Sequence, residues 1–158
     1  MRLTLFTDYC LRVLMFSGTR GDALSTIDEV ARHFGISRNH LVKVVHELGR
    51  KGYLETVRGK NGGFRLLKKP SQINIGSVVR DAEEELDVVG CLDESDYCPI
   101  QQVCILRKAL REATKAFLAV LDQYTLDDLL EPRKSLMKLL QFNRPGPASK
   151  APSPRAAR

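Results

Sequence analysis

The sequence predicts a mainly α-helical chain with one small β-hairpin: a winged helix-turn-helix domain followed by a long dimerisation helix. Apolar residues recur at helical spacing through the first 50 positions. The period switches to two between Tyr53 and Leu67, around a glycine-rich turn. Between Ile100 and Tyr124 the apolar positions Val103, Leu106, Leu110, Ala113, Phe117, Val120 and Tyr124 step alternately by three and four, the signature of a heptad seam.

Each element has its own warrant. Leu5, Tyr9, Val13 and Phe16 set one face of a first helix over residues 4–17, with Gly18 to Asp22 as its break. Ser25 or Thr26 caps a second helix, IDEVARHF, which runs into Gly35. Ser37 opens a third, roughly 38–49, that buries Leu41, Val44, Val45 and Leu48 and leaves Arg38, Asn39, His40 and Lys43 outside. YLETV and FRLLKK alternate around the turn RGKNGG, a hairpin with a basic tip. Ile73-Asn74-Ile75 leads to a short helix over about 77–85, and residues 86–99 read as a loop. LDDLL and residues 133–141 offer two more short helices. The tail RPGPASKAPSPRAAR is proline-rich and basic, a composition that favours disorder.

Composition narrows the function classes. With 43% hydrophobic and 28% charged residues in 158, the chain reads as an ordinary globular protein. No apolar run approaches the roughly 20 residues of a membrane span. The first helix carries Asp8 and Arg12 within its apolar pattern and lacks a small-residue cleavage site, so it is not read as a signal peptide, and a cytoplasmic protein is expected. In that compartment four cysteines point to reduced thiols, metal ligands or sensors rather than to a disulfide framework. The net charge of +6 favours a polyanionic partner, and the charge is segregated. Residues 38–69 hold nine Lys or Arg and two acids, residues 81–96 hold eight acids and no base, and the chain from Arg133 on holds seven bases and no acid.

Helix, turn, helix and basic hairpin in that order fit duplex DNA. A major groove about 12 Å wide admits one helix whose first residues reach base edges. Ser37, Arg38, Asn39, His40 and Lys43 occupy that place here, and Arg58, Lys60 and Arg65 of the hairpin supply phosphate contacts. The competing reading is that helices two and three only pack a small core. No glycine-rich phosphate loop, paired catalytic carboxylates, CxxC pair or thiol with an activating base is visible, so an enzyme is not expected.

Cys91, Cys98 and Cys104 form C-x6-C-x5-C on the loop that opens into the long helix. Structural zinc usually takes four ligands in closer pairs, so zinc fits poorly. Iron–sulfur clusters are held by loop thiolates, and three cysteines leave one iron of a four-iron cluster to a carboxylate, water or small molecule. Three unrelated thiols is the other reading. Cys10 stands apart on the first helix and is assigned to the core.

FTDYCLRVLMF, the segment SRNHLVKVVHELGRKGYLETVRGKNGGFRL and the three-cysteine loop together resemble the winged-helix iron–sulfur transcriptional regulators of the IscR/NsrR type, from Met1 to about Leu130. The resemblance implies that Cys91, Cys98 and Cys104 are cluster ligands. Members of the IscR kind place a histidine ligand three residues after the third cysteine, where this chain has Arg107. The nitric-oxide-sensing repressors of the group instead use a first-helix aspartate from the partner subunit, and Asp8 matches it. By its residues alone, Asp8 reads as an ordinary surface ion pair with Arg12.

The resemblance thus implies a homodimeric repressor on a palindromic operator of double-stranded DNA. It would carry a [4Fe–4S] cluster, with [2Fe–2S] as the alternative, and lose DNA affinity when nitric oxide attacks that cluster. A regulator sensing redox state or cluster and iron supply is the runner-up. The expected organisation is a DNA-binding domain over 1–80 with its wing at about 53–67, a cluster loop and dimerisation helix over 81–131, and a basic tail over 132–158.

Overall fold

The computed structural model describes residues 2–83, 86, 98–100 and 102–140. Helix α1, Leu5–Arg20, is the central post of the fold. The Thr4 hydroxyl caps it by accepting from the Thr7 N–H at 3.2 Å. Val13, Leu14 and Phe16 are fully buried along it. The helix does not break at Gly18, as its sequence suggested. Gly18 is a packing point, because a Cβ there would lie 2.5 Å from a Leu130 methyl carbon. The chain leaves helical geometry at Gly21, whose φ of 61° favours glycine.

α2, Ile27–Phe34, is started by a capping box in which Thr26 and Glu29 satisfy each other's backbone N–H groups. Thr26, not Ser25, takes this role; the Ser25 hydroxyl is buried with no hydrogen-bond partner among the described residues, and Ser25 serves the fold through its backbone. Its backbone N–H and C=O pair with Phe64, each at 2.8 Å, and tie the hairpin to the helical body. Gly63 permits that approach, since a Cβ there would strike the Ser25 carbonyl oxygen. After Gly35, in the left-handed region at φ 64°, α3 runs from Arg38 to Arg50 and buries the four residues its pattern predicts. Strands β1 (Leu54–Val57) and β2 (Gly63–Leu66) form the antiparallel hairpin, in register from Leu54↔Leu66 to Val57↔Gly63.

A short 3-10 turn at Pro70–Gln72 leads to α4, Ile75–Ala82, which starts earlier than its apolar pattern suggested because the Asn74 side chain caps it. α5 spans Ile105–Leu121, shorter at both ends than the expected 100–124. Its start is set by Cys104, whose Sγ accepts from the Arg107 N–H at 3.4 Å. Its end is set by a joint with α4. Arg80 grips the Asp122 carboxylate with two bonds of 2.7 and 2.6 Å, and the Asn74 amide donates to the Asp122 carbonyl at 2.7 Å. Val103 and Tyr124 therefore flank the helix instead of belonging to it.

α6 (Leu126–Leu130) and α7 (Arg133–Leu139) complete the described chain. Leu126 and Leu130 join Phe16, Leu41, Phe64 and Ile73 in one core, so α6 packs with the helices that precede it in sequence. α7 gives the start of the expected tail a helical turn, and Leu136 packs against that core. Everything from residue 141 lies outside the described residues. α5 differs from the other long helices, because none of its residues is buried and Leu106 stays 65% exposed.

Candidate DNA-reading surface and thiol ligands

The residues expected to read DNA stand together on the open face of α3. Ser37 occupies the N-cap position, where its carbonyl accepts from the His40 and Leu41 N–H groups at 3.1 and 3.2 Å. Its hydroxyl makes no capping bond. Asn39 and Lys43 are exposed. Arg38 is exposed too, and pairs with Asp28 of α2 at 3.0 Å with both side chains more than 60% open. Such a surface pair contributes little stability, so the guanidinium is available to a phosphate or base edge. His40 stacks against Tyr9 of α1, with ring centroids 6.0 Å apart and planes at 30°. The sequence reading missed Val42, which is 47% exposed between Asn39 and Lys43. The signal was present, since Val42 falls outside the buried set 41, 44, 45 and 48. An apolar side chain there suits the methyl group of thymine.

The hairpin divides its three cations. Arg58 and Lys60 are exposed at the tip, where Gly59 adopts φ 114°. Arg65 is not at the tip. It sits directly across the strands from Glu55 and is bound to it at 2.9 Å.

Beneath this surface, the end of α4 is fastened by two carboxylates that the sequence did not single out. Asp81 accepts from the Tyr53 hydroxyl at 2.6 Å and from Lys51 at 2.9 Å. Glu83 accepts from the Thr4 N–H and hydroxyl at 2.7 and 3.1 Å. Partial burial pushes the Asp81 carboxyl up, but the bonds from Tyr53 and Lys51 outweigh it and hold the group below its ordinary value of 3.8. The folded pKa is thus depressed, so this stabilisation is complete above the ordinary value and lost as pH falls through the folded one. Asp81→Asn is expected to lower the thermal midpoint at neutral pH and to shrink its difference from wild type below about pH 4, as a calorimetric pH series would show.

The cysteines fall into two kinds. Cys10 is sealed in the core at 1% exposure, and burial, with help from Glu47 and Glu83, pushes its thiol up to about 12, far from the reactive range. Cys98 and Cys104 are half-buried free thiols. Cys91 lies outside the described residues, and among the described residues no three His, Cys, Asp or Glu side chains converge into a metal-binding group. Asp8 takes its local partner, Arg12, at 2.9 Å, with both side chains about two-fifths exposed. The same guanidinium lies 5.6 Å from the centre of the Phe34 ring at the end of α2. Within one chain Asp8 is therefore a surface ion-pair residue.

The profile of the Rrf2 family, "Iron-dependent Transcriptional regulator", matches residues 3–132. This chain belongs to the Rrf2 family. It is 52% identical over 146 residues to the "HTH-type transcriptional regulator NsrR" of Geobacillus kaustophilus, spanning 91% of this chain and 99% of that one. It is 49% identical over 144 residues to the protein of the same name from Bacillus subtilis, spanning 90% and 99%. In fold, it is similar to the T. potens IscR structure with a TM-score of 0.69 at 20% identity, covering 86% of this chain and 90% of the other. The cysteine regulator CymR of B. subtilis aligns with a TM-score of 0.64 at 24% identity, covering 82% and 95%. The winged-helix fold and the resemblance to regulators of the IscR/NsrR type both hold, and the chain is a DNA-binding transcription regulator of this Rrf2 group. No helix among the described residues is long and apolar enough to cross a membrane.

Proposed function

We propose that the chain is a cytoplasmic, homodimeric repressor that senses nitric oxide through an iron–sulfur cluster, most simply [4Fe–4S], and releases its operator in response. The observation that carries this reading is the contrast among the thiols. Cys10 is closed off in the core, whereas Cys98 and Cys104 are half-open, and Cys104 caps a helix with no buried face. Soft thiolates on accessible positions fit an iron–sulfur cluster. Cys91, Cys98 and Cys104 would hold it, and Asp8 of the partner subunit would take the remaining iron. Once bound, the cluster supplies iron to which nitric oxide binds strongly.

The chain's own residues do the rest. To act as a ligand Asp8 must leave Arg12, and on release it returns to that cation. Since Arg12 also faces Phe34, the exchange reaches the end of α2 next to the turn before the recognition helix. Thr4 and Glu83 join the start of Asp8's helix to the end of α4, which precedes the segment that carries Cys91 in sequence. The reading face, Ser37, Arg38, Asn39, His40 and Lys43, meets bases and phosphates. Arg58 and Lys60 hold the backbone, with Arg65 steadying the hairpin. The DNA-binding unit over 1–80, the cluster and dimer unit over 81–131 and the tail over 132–158 divide the labour.

The α5 seam is the dimer contact in this reading. Leu106 is mostly exposed in the single chain. Leu106→Asp is expected to give a folded monomer by light scattering. It should bind a palindromic duplex at least tenfold more weakly, because two linked half-sites become one.

The test is fluorescence anisotropy with a duplex recovered by in vitro selection, under anaerobic conditions, before and after nitric oxide. Loss of affinity on adding nitric oxide is expected. Unchanged affinity, or loss driven by oxygen or iron chelation but not by nitric oxide, would replace this function with the redox or iron-supply alternative.

A further inference from the structure

We propose that the cleft between the start of α1, the second half of α3 and the end of α4 receives a sugar–phosphate strand of the DNA, held by Arg2, Lys43 and His46. The proposal rests on the reading of α3 as the recognition helix and extends the DNA surface beyond that helix's first turn and the wing.

Length is the first argument. Asn39, Val42, Lys43, His46 and Arg50 form one exposed stripe along α3. At 1.5 Å per residue, Asn39 to Arg50 spans roughly 16 Å, more than the roughly 12 Å width of the major groove. With Asn39 at base edges, the far end of the stripe overruns the groove and meets the strand bordering it. That far end lines a cleft of about 1340 Å³ that is open to solvent. An open trough suits a continuous strand better than a small anion, which binds where a pocket encloses it.

Charge is the second argument. The acids lining the cleft are already neutralised or hydrogen-bonded. Glu47 takes two bonds from Arg50 at 2.9 and 2.6 Å, Asp81 is held by Lys51 and Tyr53, and Glu83 by Thr4. Arg80 is committed to Asp122. Arg2 and Lys43 are left with no ion pair among the described residues, and the exposed His46 lies near them as a further donor. The cleft therefore offers cations and donors to an anion that runs through it, as phosphate contacts require.

The experiment measures binding of the full-length protein to a selected duplex and to an unrelated duplex across a salt series, with Arg2→Ala and His46→Ala. Neither side chain belongs to the core, so folding is retained. Arg2→Ala should weaken both duplexes several-fold, lower the slope of log K against log salt by about one, and leave base preference unchanged. His46→Ala should weaken both duplexes alike. Wild-type affinity and slope in both variants, while Lys60→Ala lowers the slope and Asn39→Ala relaxes base preference, would overturn the cleft and keep the recognition helix. A loss in Arg2→Ala confined to the selected duplex would also overturn it, by placing Arg2 on a base edge. Failure of the wild-type protein to bind any duplex would remove both readings.

Discussion

Cys98→Ala is expected to give a folded dimer without a cluster, whose operator affinity is as low as that of the nitric-oxide-treated wild type and no longer answers nitric oxide. Cys98 is a half-buried free thiol outside the core cluster, so its truncation costs little packing. Removing one of three thiolates strips a cluster of an anionic ligand that neither water nor a carboxylate replaces well. The visible absorbance of the anaerobically purified variant should drop to near zero, and its DNA affinity should be the same with and without nitric oxide. Cys10→Ala is the matched control. It sits at 1% exposure in the core, so it should lower stability while leaving cluster absorbance and the response in place. The reverse pattern, with Cys10 needed and Cys98 dispensable, would contradict the assignment of ligands.

Phe16→Ala carries the largest expected loss of stability. Phe16 has no exposed surface, and its ring meets His33 at 5.3 Å and Phe34 at 6.3 Å, so it joins α1 to the last turn of α2. Emptying such a site costs about 3–5 kcal/mol, a large share of the roughly 5–15 kcal/mol that holds a domain together. A urea titration should show a much lower midpoint, with Phe16→Leu falling between variant and wild type. DNA binding should fail together with folding, because the turn before α3 leans on this contact. A shift below about 1 kcal/mol would mean that the α1–α2 contact is dispensable.

The parts of the fold legible in the sequence were those with local causes. The period of α3, the alternation of the wing strands and the glycine turn between them each depend on residues a few positions apart. Cys10 was separable from the other cysteines because it stands apart from them on the first helix, and it is buried in the core. Misreadings came where a distant residue decided. Gly18 looks like a helix breaker until Leu130 is found against it, and Ser25 looks like a cap until Phe64 is found pairing with it. Asp81 and Glu83 read as members of an acidic run, yet they fasten α4 to Lys51, Tyr53 and Thr4, contacts that no spacing reveals. Arg65 was read as a phosphate contact of the hairpin, and its ion pair with Glu55 across the strands was not foreseen, because it depends on the strand register. At the thiol site, residue type suggested the chemistry, while the seat of Asp8 on Arg12 was visible as an i, i+4 pair.

Native mass spectrometry of the anaerobically purified protein, with stepwise addition of nitric oxide, tests the central claim most directly. The account predicts a dimer carrying two four-iron clusters, each gaining mass from nitric oxide. A dimer that stays metal-free or loaded with zinc after cluster reconstitution under strict anaerobiosis would contradict it.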